Sequence, residues 1–85
     1  MSPADISAEI LRQTEALGPT KSICPSDVAR ALAPDNWRPL MTLIRQAAAA
    51  LAGDGRLRIL RKGKPVPPEE MRGVIRLSAP TRDSE

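Results

Sequence analysis

The sequence predicts a small, mainly α-helical domain with a small β-hairpin near its C-terminal end. Three segments carry apolar residues at helical spacing, each between a capping residue and a glycine or proline stop. A later segment alternates apolar and cationic residues with a period of two, as a strand does. The chain has 85 residues, enough for one domain and one modest core, which we place at residues 1–80 with a flexible tail at 81–85.

The first predicted helix covers Pro3 to Leu17. Ser2 is the expected cap, and Gly18 with the following proline ends the helix. Its apolar stripe contains Ile6, Ile10 and Leu17, with Leu11 and Thr14 at the edge. This stripe is expected to face the core.

Two further helices follow a short strand predicted around Ile23. Pro25 begins the second helix and Pro34 ends it. The third helix is expected from Trp37 to Leu51, with Asn36 as its cap. Its core side is predicted to hold Trp37, Leu40, Ile44, Ala47, Ala48 and Leu51.

The strands come last in the domain. Leu57 and Ile59 are expected to point to the core from the first strand, and Ile75 and Leu77 from the second. The stretch "GKPVPPEEM" between them has three prolines, so it is predicted to be neither a helix nor a central strand. We therefore expect a hairpin with a long, stiff tip.

Positive charge is concentrated in the C-terminal third of the chain. The whole sequence carries +3, but residues 1–55 sum to −1 and residues 56–85 to +4. Five cations lie within the nine residues from Arg56 to Lys64, without an acidic residue among them. Such clustering costs self-repulsion that mixed signs would avoid, and it indicates an anionic partner. Cations that protect a sheet edge from aggregation are the structural alternative.

Several functions are disfavoured by composition. With no histidine and one cysteine, the chain lacks the residues for a zinc site, a disulfide framework or a histidine acid/base pair. We therefore predict no enzyme, no cofactor, no metal and no small-molecule substrate. Cys24 is expected to be a small core residue and Trp37 a core anchor. The absence of phenylalanine and tyrosine argues against stacking of single-stranded bases.

No apolar run approaches the length of a membrane span, and no secretory signal pattern opens the chain. The sequence thus predicts a cytoplasmic protein without a membrane partner. The lone thiol fits a reducing compartment.

The order of helix, short strand, two helices, strand, basic loop and strand resembles the winged-helix group of helix-turn-helix proteins. The resemblance is carried by "CPSDVARAL", "LIRQAAAALAGDGRLRIL" and "GVIRLS". More narrowly, "ICPSDVARAL", "NWRPLM" and "KGKPV" ahead of "RGVIRL" are similar to a family of small bacterial winged-helix proteins of unknown function.

The wider group commonly places its third helix in the major groove of DNA and its wing on the backbone. The resemblance therefore implies a duplex DNA-binding protein, such as a transcriptional regulator or a nucleoid-associated factor. On the helix, the implied contacts are Arg38, Thr42, Arg45 and Gln46. On the wing, the cations are Arg56, Arg58, Arg61, Lys62 and Lys64. If about four to six phosphates are neutralised, the logarithm of the affinity should fall with the logarithm of the salt concentration, with a slope of roughly −4 to −5. We call this the salt slope.

Three alternatives stay open at this point. The same scaffold could bind an acidic protein or structured RNA, because each presents negative charge. Two copies could also pair, with an interface formed by Leu60, Val66, Met71 and Val74.

Overall fold

The computed structural model describes residues 2–80, which form three helices and a three-stranded antiparallel sheet. The helices are α1 (Pro3–Leu17), α2 (Pro25–Leu32) and α3 (Met41–Gly53). The strands are β1 (Arg58–Arg61), β2 (Lys64–Val66) and β3 (Arg76–Ser78), in the order β2-β1-β3. The predicted mainly α-helical fold class with a small sheet is confirmed. The tail predicted at 81–85 lies outside the described residues.

Helix α1 begins as predicted, with Ser2 Oγ accepting the Asp5 N–H at 3.2 Å. Ile6 and Ile10 are buried, but the third buried position is Thr14, whose hydroxyl donates to the Ile10 carbonyl at 2.9 Å. The placement of Leu17 in the core is wrong. Leu17 has the helical phase of the stripe, but it is the last residue of α1 and its side chain is 42% exposed.

Helix α3 is entered through a 3₁₀ turn, Arg38–Leu40, and not through an Asn36 cap, so that prediction is wrong. Pro39 has no N–H to donate, and the tighter turn lets the Leu40 N–H bond to the Trp37 carbonyl at 3.0 Å. The helix ends two residues later than predicted, at Gly53. Gly55, at a φ of 77°, closes a Schellman motif in which the Arg56 N–H donates to the Leu51 carbonyl.

The core lies between the three helices and one face of the sheet. The predicted inward strand residues Leu57, Ile59, Ile75 and Leu77 are all buried. So are Ile44, Ala48 and Leu51 of α3, while Trp37, Leu40 and Ala47 are partly buried against them. The core side predicted for the third helix is therefore confirmed. Ile23 pairs with Leu77 through two backbone hydrogen bonds of 2.8 Å, which places the predicted short strand beside β3.

The long, stiff hairpin tip is replaced by a tight hairpin and a separate connection. Strands β1 and β2 are joined by Lys62 and Gly63, which both have positive φ, as a type I′ turn requires. Strand β2 contains Pro65 and lies at the sheet edge, where a missing N–H breaks no bond to a further strand. A 3₁₀ turn, Pro68–Glu70, then packs against α3 before the chain enters β3.

Candidate functional site

The β1–β2 hairpin presents free cations at the edge of the sheet. Arg61 and Lys64 face each other across the last pair of the ladder, and Lys62 lies in the turn between them. All three side chains are exposed, and within residues 2–80 none of them makes a hydrogen bond or an ion pair. Arg56, just before β1, is exposed in the same way. We call Arg61, Lys62 and Lys64 the hairpin cations.

Lys62 adopts an unusual backbone conformation for its residue type. Its φ is 54°, in the left-handed region that costs an L-residue with a long side chain roughly 1 kcal/mol. Asparagine and glycine are the residues that such a turn favours at this position. A lysine is therefore a poor choice for the stability of the turn. It does add a cation at the most projecting point of the hairpin.

Two of the residues predicted to contact DNA, Arg45 and Arg58, form hydrogen bonds within the protein. The Arg45 guanidinium donates to the Met71 carbonyl at 3.0 Å and to the Gly73 carbonyl at 3.2 Å. It thereby holds the connection after β2 against α3. Arg45 is half-buried, and two of its donors are directed to this connection.

Arg58 is the second engaged residue. Its guanidinium donates to the Pro19 carbonyl at 2.8 Å and to the Ala79 carbonyl at 3.2 Å, and it lies 3.4 Å from Ser78 Oγ. These bonds join the end of α1 to β1 and β3. Arg58 is half-buried in this seam, unlike the three hairpin cations that follow it in the sequence.

Sequence reasoning missed a third arginine of this kind, Arg76. It donates to Ser22 Oγ at 2.6 Å, to the Ser22 carbonyl at 2.9 Å and to Cys24 Sγ at 3.0 Å. Its outward direction on β3 was predicted, but its partners lie more than fifty residues earlier in the chain. Cys24 is half-buried at the start of α2 and not a buried core residue, so that prediction is wrong.

The exposed side of α3 is almost uncharged. Thr42 and Gln46 are exposed on it as predicted, and Leu43 beside them is 42% exposed. Thr42 and Gln46 line a shallow groove of about 330 Å³, together with Arg45, Ala49 and Met71. Met71 belongs to the connection that continues from the hairpin. The segment following the hairpin therefore lies along the exposed side of α3.

Arg38 begins the 3₁₀ turn that leads into α3. Its guanidinium carbon lies 5.1 Å from the centroid of the Trp37 ring, and that of Arg30 lies 4.6 Å from the same centroid. Both distances allow a cation–π interaction. Trp37 packs against the core as predicted, and it also holds two arginines that the sequence pattern did not connect.

In the part of the chain that the structure describes, no arginine after α1 is paired with a carboxylate. Within residues 2–80 the only ion pair joins Arg12 to Glu9, on α1. The same residues contain no helix long and apolar enough to cross a membrane. They also contain no group of three or more cysteine, aspartate or glutamate side chains arranged to hold a metal ion.

Three of the residues suggested for a dimer interface are partly buried by the protein itself. Val66 and Met71 pack against the core, and Leu60 is half-buried. Val74, in contrast, is 85% exposed. Of the four residues, it offers the largest exposed fraction to a partner.

Comparison with known families identifies a match over most of the chain. Residues 3–80 match the family described as "Protein of unknown function (DUF3253)". A search of curated proteins found no match. The family match covers the three helices, the hairpin and the sheet, and it bears out the expected membership in a family of unknown function. This chain therefore belongs to the family "Protein of unknown function (DUF3253)".

Proposed function

We propose that this protein is a winged-helix protein that binds duplex DNA. The β1–β2 hairpin is the wing and contacts phosphates, and α3 lies in the major groove. The observation that carries the proposal is the set of hairpin cations, which are exposed and unpaired within residues 2–80. Cations exposed in the turn and at the adjoining strand ends are available to neutralise phosphates and release counterions.

The conformation of Lys62 supports a functional reason for its charge. A cation that served only to protect the sheet edge would protect it equally well from Lys64, which lies in the extended edge strand β2. Placing a lysine at a φ of 54° costs stability that asparagine would avoid. Backbone strain of this kind is concentrated at functional sites.

The exposed face of α3 supplies fewer base contacts than the resemblance implies. Because Arg45 is bound to two carbonyls, Thr42 and Gln46 are the main polar side chains that remain on the exposed face of α3. Arg38 lies just before the start of this helix. Glutamine can pair with adenine, and arginine with guanine or a phosphate. We therefore expect binding that depends mostly on phosphates and only weakly on sequence, and that changes little between about pH 6 and 8, because the chain has no histidine.

Fluorescence anisotropy with a random-sequence duplex tests the proposal over a salt series. The wing variant is Arg61→Gln with Lys64→Gln, and the matched control is Arg12→Gln with Lys21→Gln, which removes the same charge outside the hairpin. The wing variant should bind about tenfold more weakly at ~100 mM salt, and its salt slope should be less steep than that of wild type by about two. The control should stay near wild type. Equal binding by both variants, or no duplex binding at ~50 mM salt, would refute the proposal.

A second candidate function is a protein-interaction module. It is favoured by the apolar part of the α3 surface, where Leu43 borders a groove with Pro3, Ile6 and Ala47. A partner on this surface would not require the hairpin cations. If the wing variant and wild type retain one protein partner equally, and neither binds duplex DNA or double-stranded RNA, this second function replaces the first.

A further inference from the structure

The connection between α2 and α3 brings two arginines to one aromatic ring. Arg30 lies in the last turn of α2, and Arg38 begins the 3₁₀ turn that leads into α3. Their guanidinium carbons lie 4.6 Å and 5.1 Å from the centroid of the Trp37 indole. Each is within the distance of about 6 Å at which the ring face attracts a cation.

The ring holds these arginines without using their hydrogen-bond donors. Within residues 2–80, neither Arg30 nor Arg38 donates a side-chain hydrogen bond or forms an ion pair, and both are exposed. Arg45, Arg58 and Arg76 differ, because their donors are bound to carbonyl, hydroxyl or thiol groups. A guanidinium held by an aromatic ring, with its N–H groups free, can bind a phosphate through two parallel hydrogen bonds.

Neither of the two carboxylates nearest in sequence, Asp27 and Asp35, forms an ion pair with these arginines in residues 2–80. Asp35 lines a shallow cavity of about 180 Å³ together with Asn36, Trp37 and Arg38. No ion pair joins Asp35 to either arginine in the described part of the chain. Each guanidinium at this ring therefore carries a positive charge that no carboxylate pairs with in residues 2–80, and it complements the single negative charge of a phosphate diester.

We infer that Arg30 and Arg38, held at the Trp37 indole, bind backbone phosphates of duplex DNA. This inference rests on the proposed function, because it assigns a second phosphate contact to the same ligand. Arg38 leads directly into α3, the helix placed in the major groove, and phosphates border that groove. The hairpin and this arginine pair would then contact the backbone from two separate parts of the fold.

Trp37 provides a direct reporter, because it is the only tryptophan in the chain. Adding duplex DNA should reduce quenching of Trp37 fluorescence by acrylamide, since the bound backbone covers the site. The Arg30→Gln, Arg38→Gln double variant should lose this protection. It should also lower the salt slope of binding by about two, as expected for two lost charges at phosphates.

The control for this experiment is again Arg12→Gln with Lys21→Gln, which should retain both the protection and the slope. Asp35→Asn provides a variant that should gain affinity by a few fold, because it removes the local negative charge. Loss of folding cannot explain such a gain. Circular dichroism of each variant checks that the helices are retained.

The outcomes separate the two proposals. If wild type and the wing variant differ as expected, but the arginine-pair variant behaves like the control, the hairpin binds DNA and the arginine pair does not. If wild type does not bind duplex, the proposed function fails and this inference fails with it. Polyglutamate is added in a separate experiment, at the same concentration of negative charges as the duplex. If it protects Trp37 to the same extent, the site also accepts an acidic protein segment and the assignment to DNA is overturned.

Discussion

Arginines in the hairpin and in the seam beside it differ in their contacts within the protein, although only two residues separate Arg58 from Arg61. Arg58 donates to carbonyls from two other segments, whereas Arg61 extends from the same strand without a partner in residues 2–80. The difference follows from their neighbours in the fold. Arg58 lies opposite Ser78 in the ladder with β3, next to the end of α1, and Arg61 lies opposite Lys64 at the sheet edge.

This comparison shows that the density of positive charge does not by itself locate a binding surface. The carbonyls of Pro19 and Ala79 are strong acceptors, and an arginine that satisfies both is part of the fold. Arg45 and Arg76 act in the same way at two other junctions. The cations available to a ligand are those that the fold leaves without acceptors.

The largest difference is expected between two single substitutions on β1. Arg58→Gln should lower the free energy of unfolding by about 2 kcal/mol, because it removes charged hydrogen bonds and leaves carbonyls without a donor. Arg61→Gln should change that free energy by less than about 0.5 kcal/mol. Urea denaturation measures both values.

Duplex binding should show the reverse pattern. Arg61→Gln should reduce the salt slope by about one, and Arg58→Gln should leave the slope of the folded protein unchanged. If Arg58→Gln proves harmless to stability but weakens binding, Arg58 belongs to the DNA-contacting surface and the division between hairpin and seam is incorrect.

A smaller effect is expected at the hairpin turn. Lys62→Asn should raise the free energy of unfolding by about 0.5–1 kcal/mol, because asparagine tolerates the positive φ better than lysine does. The same variant should bind duplex more weakly. Lys64→Asn is the matched control: it removes the same charge from an extended strand and should bring no gain in stability. A Lys62→Asn variant that loses stability would contradict a cost of lysine at this turn.

The helices and most of the core could be predicted from the sequence, since their signals are local. Pro3, Pro25 and the helical spacing of Ile44, Ala48 and Leu51 each act within a few residues. The edge strand β2 was missed because proline argues against a strand. Only its edge position and the Lys62–Gly63 turn make Pro65 acceptable there.

The candidate site was less predictable, because acceptors that are distant in sequence determine whether an arginine is hydrogen-bonded within the protein or available to a ligand. Arg58 reaches Pro19, and Arg76 reaches Ser22, across loops that the periodicity of the chain does not bring together. The aromatic contact of Arg30 also follows from no sequence pattern, whereas Arg38 is among the contacts that the resemblance implies. Strand alternation does not account for the hairpin cations, because Arg61 has the phase of the inward residues Leu57 and Ile59, and the Lys62–Gly63 turn was not predicted.

The smallest effect concerns the one arginine that is paired with a carboxylate within residues 2–80. Hydrogen bonds from Arg12 and Gln13 lower the pKa of Glu9. A carboxyl group whose pKa is lower in the folded state stabilises the protein above its unfolded pKa of about 4.3, and this contribution is lost as the pH falls through the folded pKa. The difference in melting temperature between wild type and Glu9→Gln should therefore be small at pH 6 and should shrink further below about pH 4. Arg12→Gln should reduce the same pH dependence, because the hydrogen bond from Arg12 is the largest cause of the lowered pKa. If the melting temperatures of wild type and Glu9→Gln differ by the same amount at every pH in this range, the ion pair contributes nothing to stability. Arg12 would then be as available to a ligand as the hairpin cations.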